Sequence, residues 1–229
     1  MAIRDVLLFL AAIAPGLLIC SYIYRMDKYE REAPFPLFAT FWLGALTTLG
    51  VIELETWATQ AFPYNNEKIL TALFSSFVLV ALTEELAKYL CLIIYPFRSS
   101  FFNEPLDGIV YAVMISMGFA TIENLMYALQ YGFETVILRA FTAVPAHGAF
   151  AVMMGYYMGK AKFAAKTGLR RKRLLLALAV PTLVHGVYDF FIIQEIYEGL
   201  IVLALIVLGV SLFFARRLVL EQQDQSPFK

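Results

Sequence analysis

The chain has 229 residues and no formal net charge; 61% of its residues are hydrophobic and 16% charged, against about 25% charged in an ordinary soluble domain. A mean hydropathy of +0.72 excludes a soluble domain with one compact core, and it excludes intrinsic disorder, which needs low hydrophobicity and high net charge. Eighteen basic against 18 acidic residues leave no excess that would draw a nucleic acid.

Windows of about 20 residues, the length that crosses a hydrocarbon core, give seven apolar runs in chain order: Val6 to Tyr24, Leu37 to Ala58, Ile69 to Tyr95, Ile109 to Gln130, Ala140 to Gly159, Leu174 to Ile193 and Leu200 to Phe214. The predicted fold is an all-α polytopic transmembrane bundle of about seven spans, eight at the upper count, forming a single integral membrane domain over 1–229. The first run reads as an uncleaved span. Only Arg4 precedes it, no small-x-small cleavage site follows it, and the bulky Ile19 before Cys20 spoils a lipoprotein box. Pro34, Pro36, Pro63, Asn65, Asn66, Asn103 and Pro105 read as loop signals between runs. Gly132 to Pro145, interrupted by Glu134, Arg139 and Pro145, reads as a surface helix leading into the fifth span. Cys20 and Cys91 lie inside apolar runs, with no spaced framework for disulfides or zinc, and read as buried thiols.

Basic residues orient the chain, because loops rich in Lys and Arg stay in the cytoplasm. Lys160, Lys162, Lys166, Arg170, Arg171, Lys172 and Arg173 lie between the fifth and sixth spans with no acidic residue among them. Alternating outward from that loop puts Arg25, Lys28, Arg31, Arg98, Arg216, Arg217 and Lys229 inside as well, leaving Arg4, Lys68 and Arg139 outside. The N-terminus is therefore expected outside and the C-terminus in the cytoplasm of a multi-pass membrane protein.

A charge near the centre of a spanning helix costs roughly 2.5 to 3.5 kcal/mol on insertion scales, so each needs a partner, a water-filled cavity or a task. The third run carries Glu84, Glu85 and Lys88, the fourth Phe119 and Glu123, the fifth His147, and the sixth His185 and Asp189. His147 and His185 are the only histidines in the sequence. Residues four apart share a helix face, so Glu84 stacks with Lys88, Phe119 with Glu123, and His185 with Asp189. Glu85, three residues from Lys88, can share that ammonium. Adjacent carboxylates in a low dielectric do not both ionise cheaply, which yields a base and a spectator unless Lys88 compensates. If the four helices bundle, the groups converge near mid-membrane. Glu53 and Glu55, beside Trp57, read instead as interfacial.

Taken in order, Glu84-Glu85-x-x-Lys88, Phe119-x-x-x-Glu123, the isolated His147 and His185-x-x-x-Asp189 resemble the motifs of the PrsW family of intramembrane proteases, related to the type II CAAX prenyl endopeptidases and bacteriocin-processing proteins. The resemblance covers Thr83 to Asp189; the expected catalytic core is about 69–193. Against the wider CAAX-type superfamily, Lys88 stands one residue closer than the usual arginine, Glu123 replaces a histidine and Asp189 an asparagine. All three departures match the PrsW branch.

The resemblance implies hydrolysis of a peptide bond of a membrane protein, with site-1 cleavage of a single-span anti-sigma factor as the associated activity. Water is a poor nucleophile, so a carboxylate must take its proton while a donor stabilises the oxyanion. Glu84 is assigned as general base, with Glu85 and Lys88 setting its charge state. His147 and His185 orient the water or donate to the tetrahedral oxygen, and Asp189 orients His185; Phe119 and Glu123 are supporting residues. No cofactor is favoured, because Lys88 disfavours a cation in the cluster and HExxH is absent. The alternative is Zn2+ held by His147, His185, Glu123 and Glu85. Ser116 and Cys91 have no histidine neighbour in sequence, so serine or cysteine catalysis fits poorly. Other readings of intramembrane Glu, His and Asp are a proton-coupled transporter or channel, which the lack of a visible inverted repeat opposes, and a non-catalytic membrane scaffold, which would be expected to lose part of the cluster.

Overall fold

The computed structural model describes residues 3–62 and 65–229. Pro63 and the side chain of Arg4, both used in the sequence reading, lie outside the described residues. The described residues form helices and no strands, which accords with an all-α membrane protein.

In chain order the helices are α1 (Ile3–Met26), α2 (Pro34–Ala61), α3 (Ile69–Phe74), α4 (Thr83–Ile94), α5 (Pro105–Tyr131), α6 (Phe133–Phe141), α7 (Ala143–Lys162), α8 (Thr167–Ile193) and α9 (Ile201–Asp224). Six helical segments are long and apolar enough to cross a membrane: Val6–Met26, Pro34–Ala61, Pro105–Tyr131, Phe133–Lys162, Thr167–Ile193 and Glu198–Asp224. The predicted third run is helical from Ile69 to Ile94, but Ser75–Leu82 is wound as a π-helix between α3 and α4. Such wide turns are rare and recur at functional sites; this one ends at Leu82, two residues before Glu84.

Three of the prolines read as loop markers begin helices. Pro34 and Pro36 lie in the first turn of α2, and Pro105 is the first residue of α5. The missing N–H costs nothing there, since the first-turn donors have no intrahelical partner, and the fixed φ suits a helix. The last helix also runs ten residues beyond the apolar stretch that announced it, to Asp224.

Burial sorts the helices. In the most apolar window of α5, 78% of residues are buried, against 22% in those of α1 and α9, so α5 is the central post and the other two face outward. α5 packs on α7, α2 and α1, and α7 on α8. Without water between the tails, helix association in a membrane relies on close van der Waals contact, which small residues permit. Gly108 of α5 meets Gly155 and Gly159 of α7 so closely that a Cβ on Gly108 would stand 2.7 Å from the Gly159 nitrogen. Gly186 of α8 lies against the Phe77 ring of the π segment, where a Cβ would fall 2.7 Å from Cγ. That contact draws α8 onto the helix carrying the paired glutamates.

The loop 27–33 between α1 and α2 is acidic and tightly folded. Burial, with Glu104 and then Glu30 and Glu32 nearby, pushes the Asp27 carboxyl up to about 7. Cys20 and Cys91 are free and buried, and Cys91 Sγ lies 3.0 Å from Thr47 Oγ1.

Substituting Gly155 by Val forces backbone against backbone, and the expected loss is about 1–3 kcal/mol or outright misassembly. Gly50, with open space around its Cβ position, should accept Ala with little change. Thermal unfolding of the two variants in detergent checks the contrast.

Candidate active site

The first turns of α4 carry Glu84, Glu85 and Lys88, all at most 4% exposed. Their helical spacing delivers the contacts expected of it. Lys88 Nζ lies 2.9 Å from Glu84 Oε2 and 2.8 Å from Glu85 Oε1. The same ammonium stands 4.3 Å over the centre of the Phe119 ring, a cation–π contact from α5, and 3.1 Å from His147 Nδ1 on α7. One buried cation thus joins three helices.

An ammonium has only donors to offer, so His147 Nδ1 accepts from Lys88 and the ring proton sits on Nε2. From there it donates to Glu123 Oε2 at 2.9 Å. Ser116 Oγ donates to the His147 carbonyl at 3.0 Å, fixing the backbone beneath the ring. His185, on α8, has carboxylates on both sides: Glu85 Oε1 3.0 Å from Nδ1 and Asp189 Oδ2 3.0 Å from Nε2. Both contacts are satisfied together only by an imidazolium or by a protonated carboxyl, so a mobile proton is part of the arrangement. Phe150 stacks on His185 at 4.9 Å, and the two imidazoles meet edge to face at 5.3 Å. All eight residues singled out in the sequence therefore come together.

Two residues that the sequence reading assigned elsewhere join them. Arg139 of α6, tallied as an outer-loop charge on a surface helix, turns inward. Its Nη2 lies 2.9 Å from Glu123 Oε2, Nε donates to Asn124 Oδ1 at 3.2 Å, and the guanidinium covers the Tyr127 ring at 3.9 Å. Glu55, read as interfacial with Glu53, is half-buried and accepts from Thr83 Oγ1 at 3.2 Å. Glu53 is exposed. Trp57, which prompted the interfacial reading, is two residues from Glu55 and so about 200° around the helix, on another face. For Arg139 the available signal was its place in a short amphipathic helix wedged between two spans.

A cavity of about 790 Å³ opens onto the cluster, with Glu55, Glu84, Glu123, His147, His185 and Asp189 on its wall. Glu85 and Lys88 are not among the wall residues. The paired glutamates are therefore unequal: Glu84 faces the space a substrate would enter, and Glu85 is enclosed between Lys88 and His185. The site lies toward one end of α7 and of α8. His147 follows the start of α7 by four residues and Asp189 precedes the end of α8 by four, about 6 Å in each case.

One donor atom from each of Glu84, Glu85, His147 and His185 lies within 4.8 Å of the others, a set able to hold a metal ion. Two imidazoles and two carboxylates suit zinc. Each imidazole also has its Nε2 against a further carboxylate, Glu123 or Asp189, the outer support that metal-bound histidines commonly have. The donor chemistry therefore fits. The carboxylate grouped with Glu85 and the two imidazoles is Glu84, where the sequence offered Glu123; Glu123 stands behind His147, where Arg139 holds it. Lys88 reaches three of the four donors, so an added cation would compete with its ammonium.

Comparison with known proteins decides the family. The PrsW-protease family, described as "PrsW family intramembrane metalloprotease", matches residues 33–215. The chain belongs to the PrsW family. Relatives named Protease PrsW include those of Clostridioides difficile, 39% identical over 87% of this chain and 84% of theirs, and Geobacillus kaustophilus, 36% identical over 85% of both. The Protease PrsW of Bacillus subtilis is 36% identical over 80% of this chain and 81% of its own. No solved structure matches the chain. A PrsW membership makes this chain a membrane-embedded protease of bacterial type with several spans, and the transport and scaffold alternatives give way to it.

Removing Arg139 leaves the Glu123 carboxylate with His147 Nε2–H as its remaining partner and no cation beside it. Arg139→Leu is expected to cost about 3 kcal/mol, the range for breaking a buried ion pair, whereas a double Arg139→Leu, Glu123→Leu variant should recover much of it. Detergent-solubilised thermal denaturation of single and double variants tests the pairing.

Proposed function

We propose that this protease hydrolyses a peptide bond of a single-span membrane protein, an anti-sigma factor being the substrate class implied by its motifs, with water activated by Glu84. The observation carrying this reading is that Glu84 lines the cavity beside both imidazoles while its own charge partner, Lys88, stays behind the wall. Glu84 takes a proton from water as the oxygen attacks the scissile carbonyl carbon. His185 donates to the tetrahedral oxygen, its Nε2–H leaving Asp189 while Glu85 keeps Nδ1, and His147 orients the water, its Nε2–H leaving Glu123. Collapse of the intermediate breaks the C–N bond, and Glu84 returns the proton to the departing amine. Enclosure away from bulk water strengthens each of these contacts.

Zinc bound by His147, His185, Glu84 and Glu85 would polarise the carbonyl and acidify the bound water. The metal-free reading is preferred because Lys88 already supplies positive charge to three of those four donors.

The proposed topology has seven crossings, counting Ile69–Ile94, with the N-terminus outside and the C-terminus in the cytoplasm of a bacterial plasma membrane. What supports it is the basic cluster between Lys160 and Arg173. In that orientation α7 starts and α8 ends on the outer side, so His147 and Asp189 lie toward the outer face while Glu84 lies deeper along its own crossing.

Purified wild type and Glu84→Gln, offered tagged single-span anti-sigma factors, test the reading. The variant should lose at least about 100-fold in turnover, as expected when a general base is removed, and wild-type cleavage should persist in EDTA. Undiminished cleavage by Glu84→Gln overturns the assignment. Loss in EDTA restored by zinc transfers the chemistry to the metal.

A further inference from the structure

A second set of buried carboxyl groups lies at the other end of α5. Asp107 is 16 residues before Glu123 on that helix, about 24 Å along its axis. Asp27, Glu30 and Glu32 come from the loop between α1 and α2, and Glu104 from the turn that starts α5. Asp27, Glu104 and Asp107 are fully buried and Glu32 is 3% exposed. One carboxylate oxygen from each of Glu30, Glu32 and Asp107 lies within 4.8 Å of the others.

Ordinary structural duties account for only part of this cluster. Asp107 Oδ2 caps α5 by accepting from the backbone N–H of Asn103 at 2.6 Å and of Glu104 at 2.8 Å. Glu32 Oε2 accepts from the Tyr111 hydroxyl, and Glu104 Oε2 from the Ser226 hydroxyl. The remaining oxygens have nothing: Asp107 Oδ1, Glu32 Oε1, Glu104 Oε1, Glu30 Oε2 and both oxygens of Asp27 are buried without a hydrogen-bond partner. Among the described residues, no ion pair reaches any of the five groups. Neighbouring cations form no ion pair with these groups, although Lys162 is near enough to feel the charge of Asp107 and Glu32. Lys162 donates to the Ser99 carbonyl at 2.8 Å and lies over the Phe102 ring, and Arg31 Nε reaches only the Asp27 carbonyl. Buried like charges without a counter-ion are unfavourable, and they are relieved either by taking up protons, as burial inclines Asp27 to do, or by taking a cation.

We propose that Glu30, Glu32 and Asp107, with Asp27 beside them, bind a hard divalent cation of the Mg2+, Ca2+ or Mn2+ class. The donors are all oxygen, which suits these ions and disfavours zinc or copper. Glu32 and Asp107 each have a second tie that pre-aims them, and Asp27, Glu30 and Glu32 sit in a loop only seven residues long, so little ordering is left to do on binding. A bound ion would fasten the 27–33 loop to the start of α5. Because Glu104 also holds Ser226, and Gln223 Nε2 donates to the Met26 carbonyl, the end of α9 is drawn into the same junction. This site is independent of the peptidase chemistry proposed above.

The test uses the full-length protein in detergent, stripped with EDTA and exchanged into chelator-free buffer. Mn2+ binding is followed by electron paramagnetic resonance, and thermal unfolding is measured with Mg2+, Ca2+ or Mn2+. The wild type should bind one Mn2+ at this site and gain at least about 3 °C in Tm from one of the ions, as a ligand specific to the folded state requires. Glu32→Gln with Asp107→Asn keeps the Tyr111 and capping hydrogen bonds. It should lose both responses while remaining at least as stable as the metal-free wild type, since like charges have been removed. His147→Ala with His185→Ala should leave both responses intact. The proposal is overturned if no ion shifts the wild type, if the Glu32, Asp107 variant responds as the wild type does, or if the response disappears with the histidines instead.

Discussion

Everything at the active site is arranged around the burial of one ammonium group. Lys88 is 2% exposed, in the middle of an apolar bundle, and an unpaired charge there would be prohibitively costly. Its satisfaction takes two carboxylates from its own helix, an imidazole nitrogen from α7 and the face of Phe119 from α5. Those demands set the phase of three helices at once. They also determine the proton position on His147, since an acceptor is needed toward Lys88, and that choice in turn orients Nε2 toward Glu123. Second carboxylates and Arg139 then close the circuit at the cavity wall.

The close glycine contacts serve the same end by a different route. Gly108 with Gly155 and Gly159 brings α5 and α7 nearly into backbone contact, and Gly186 brings α8 against the π segment. Polar side chains are short compared with the usual spacing of membrane helices. Contacts of about 3 Å among Glu85, Lys88, His147 and His185 require that the helices carrying them be packed tighter than large apolar residues would allow.

Much of this was legible from spacing alone. The i,i+3 and i,i+4 relations of Glu84, Glu85 and Lys88, and of His185 and Asp189, are properties of any helix and need no knowledge of neighbours. Convergence of the four motif-bearing helices followed from the cost of leaving each charge unpaired. Glu55 and Arg139 were not legible because their roles depend on helix rotation and on tertiary approach, which a single apolar or amphipathic segment leaves open. Trp57 misdirected the reading of Glu55 since sequence proximity is not facial proximity on a helix. The prolines at α2 and α5 misled for a related reason: the same residue that ends one helix is well suited to start the next.

The π segment Ser75–Leu82 has a consequence for how this chain can vary. Each wide turn holds more residues than an α turn, so the segment works as a spacer whose length sets the azimuth of Glu84 and Glu85. Apart from Phe77, which packs on Gly186, and Val80, on the cavity wall, its side chains face lipid or helix packing and can be exchanged for others of similar size. Adding or deleting a single residue would swing the paired glutamates by roughly 100°, away from the histidines. Length, more than composition, is what this stretch has to preserve, and tolerance to substitution there would coexist with intolerance to any change of register.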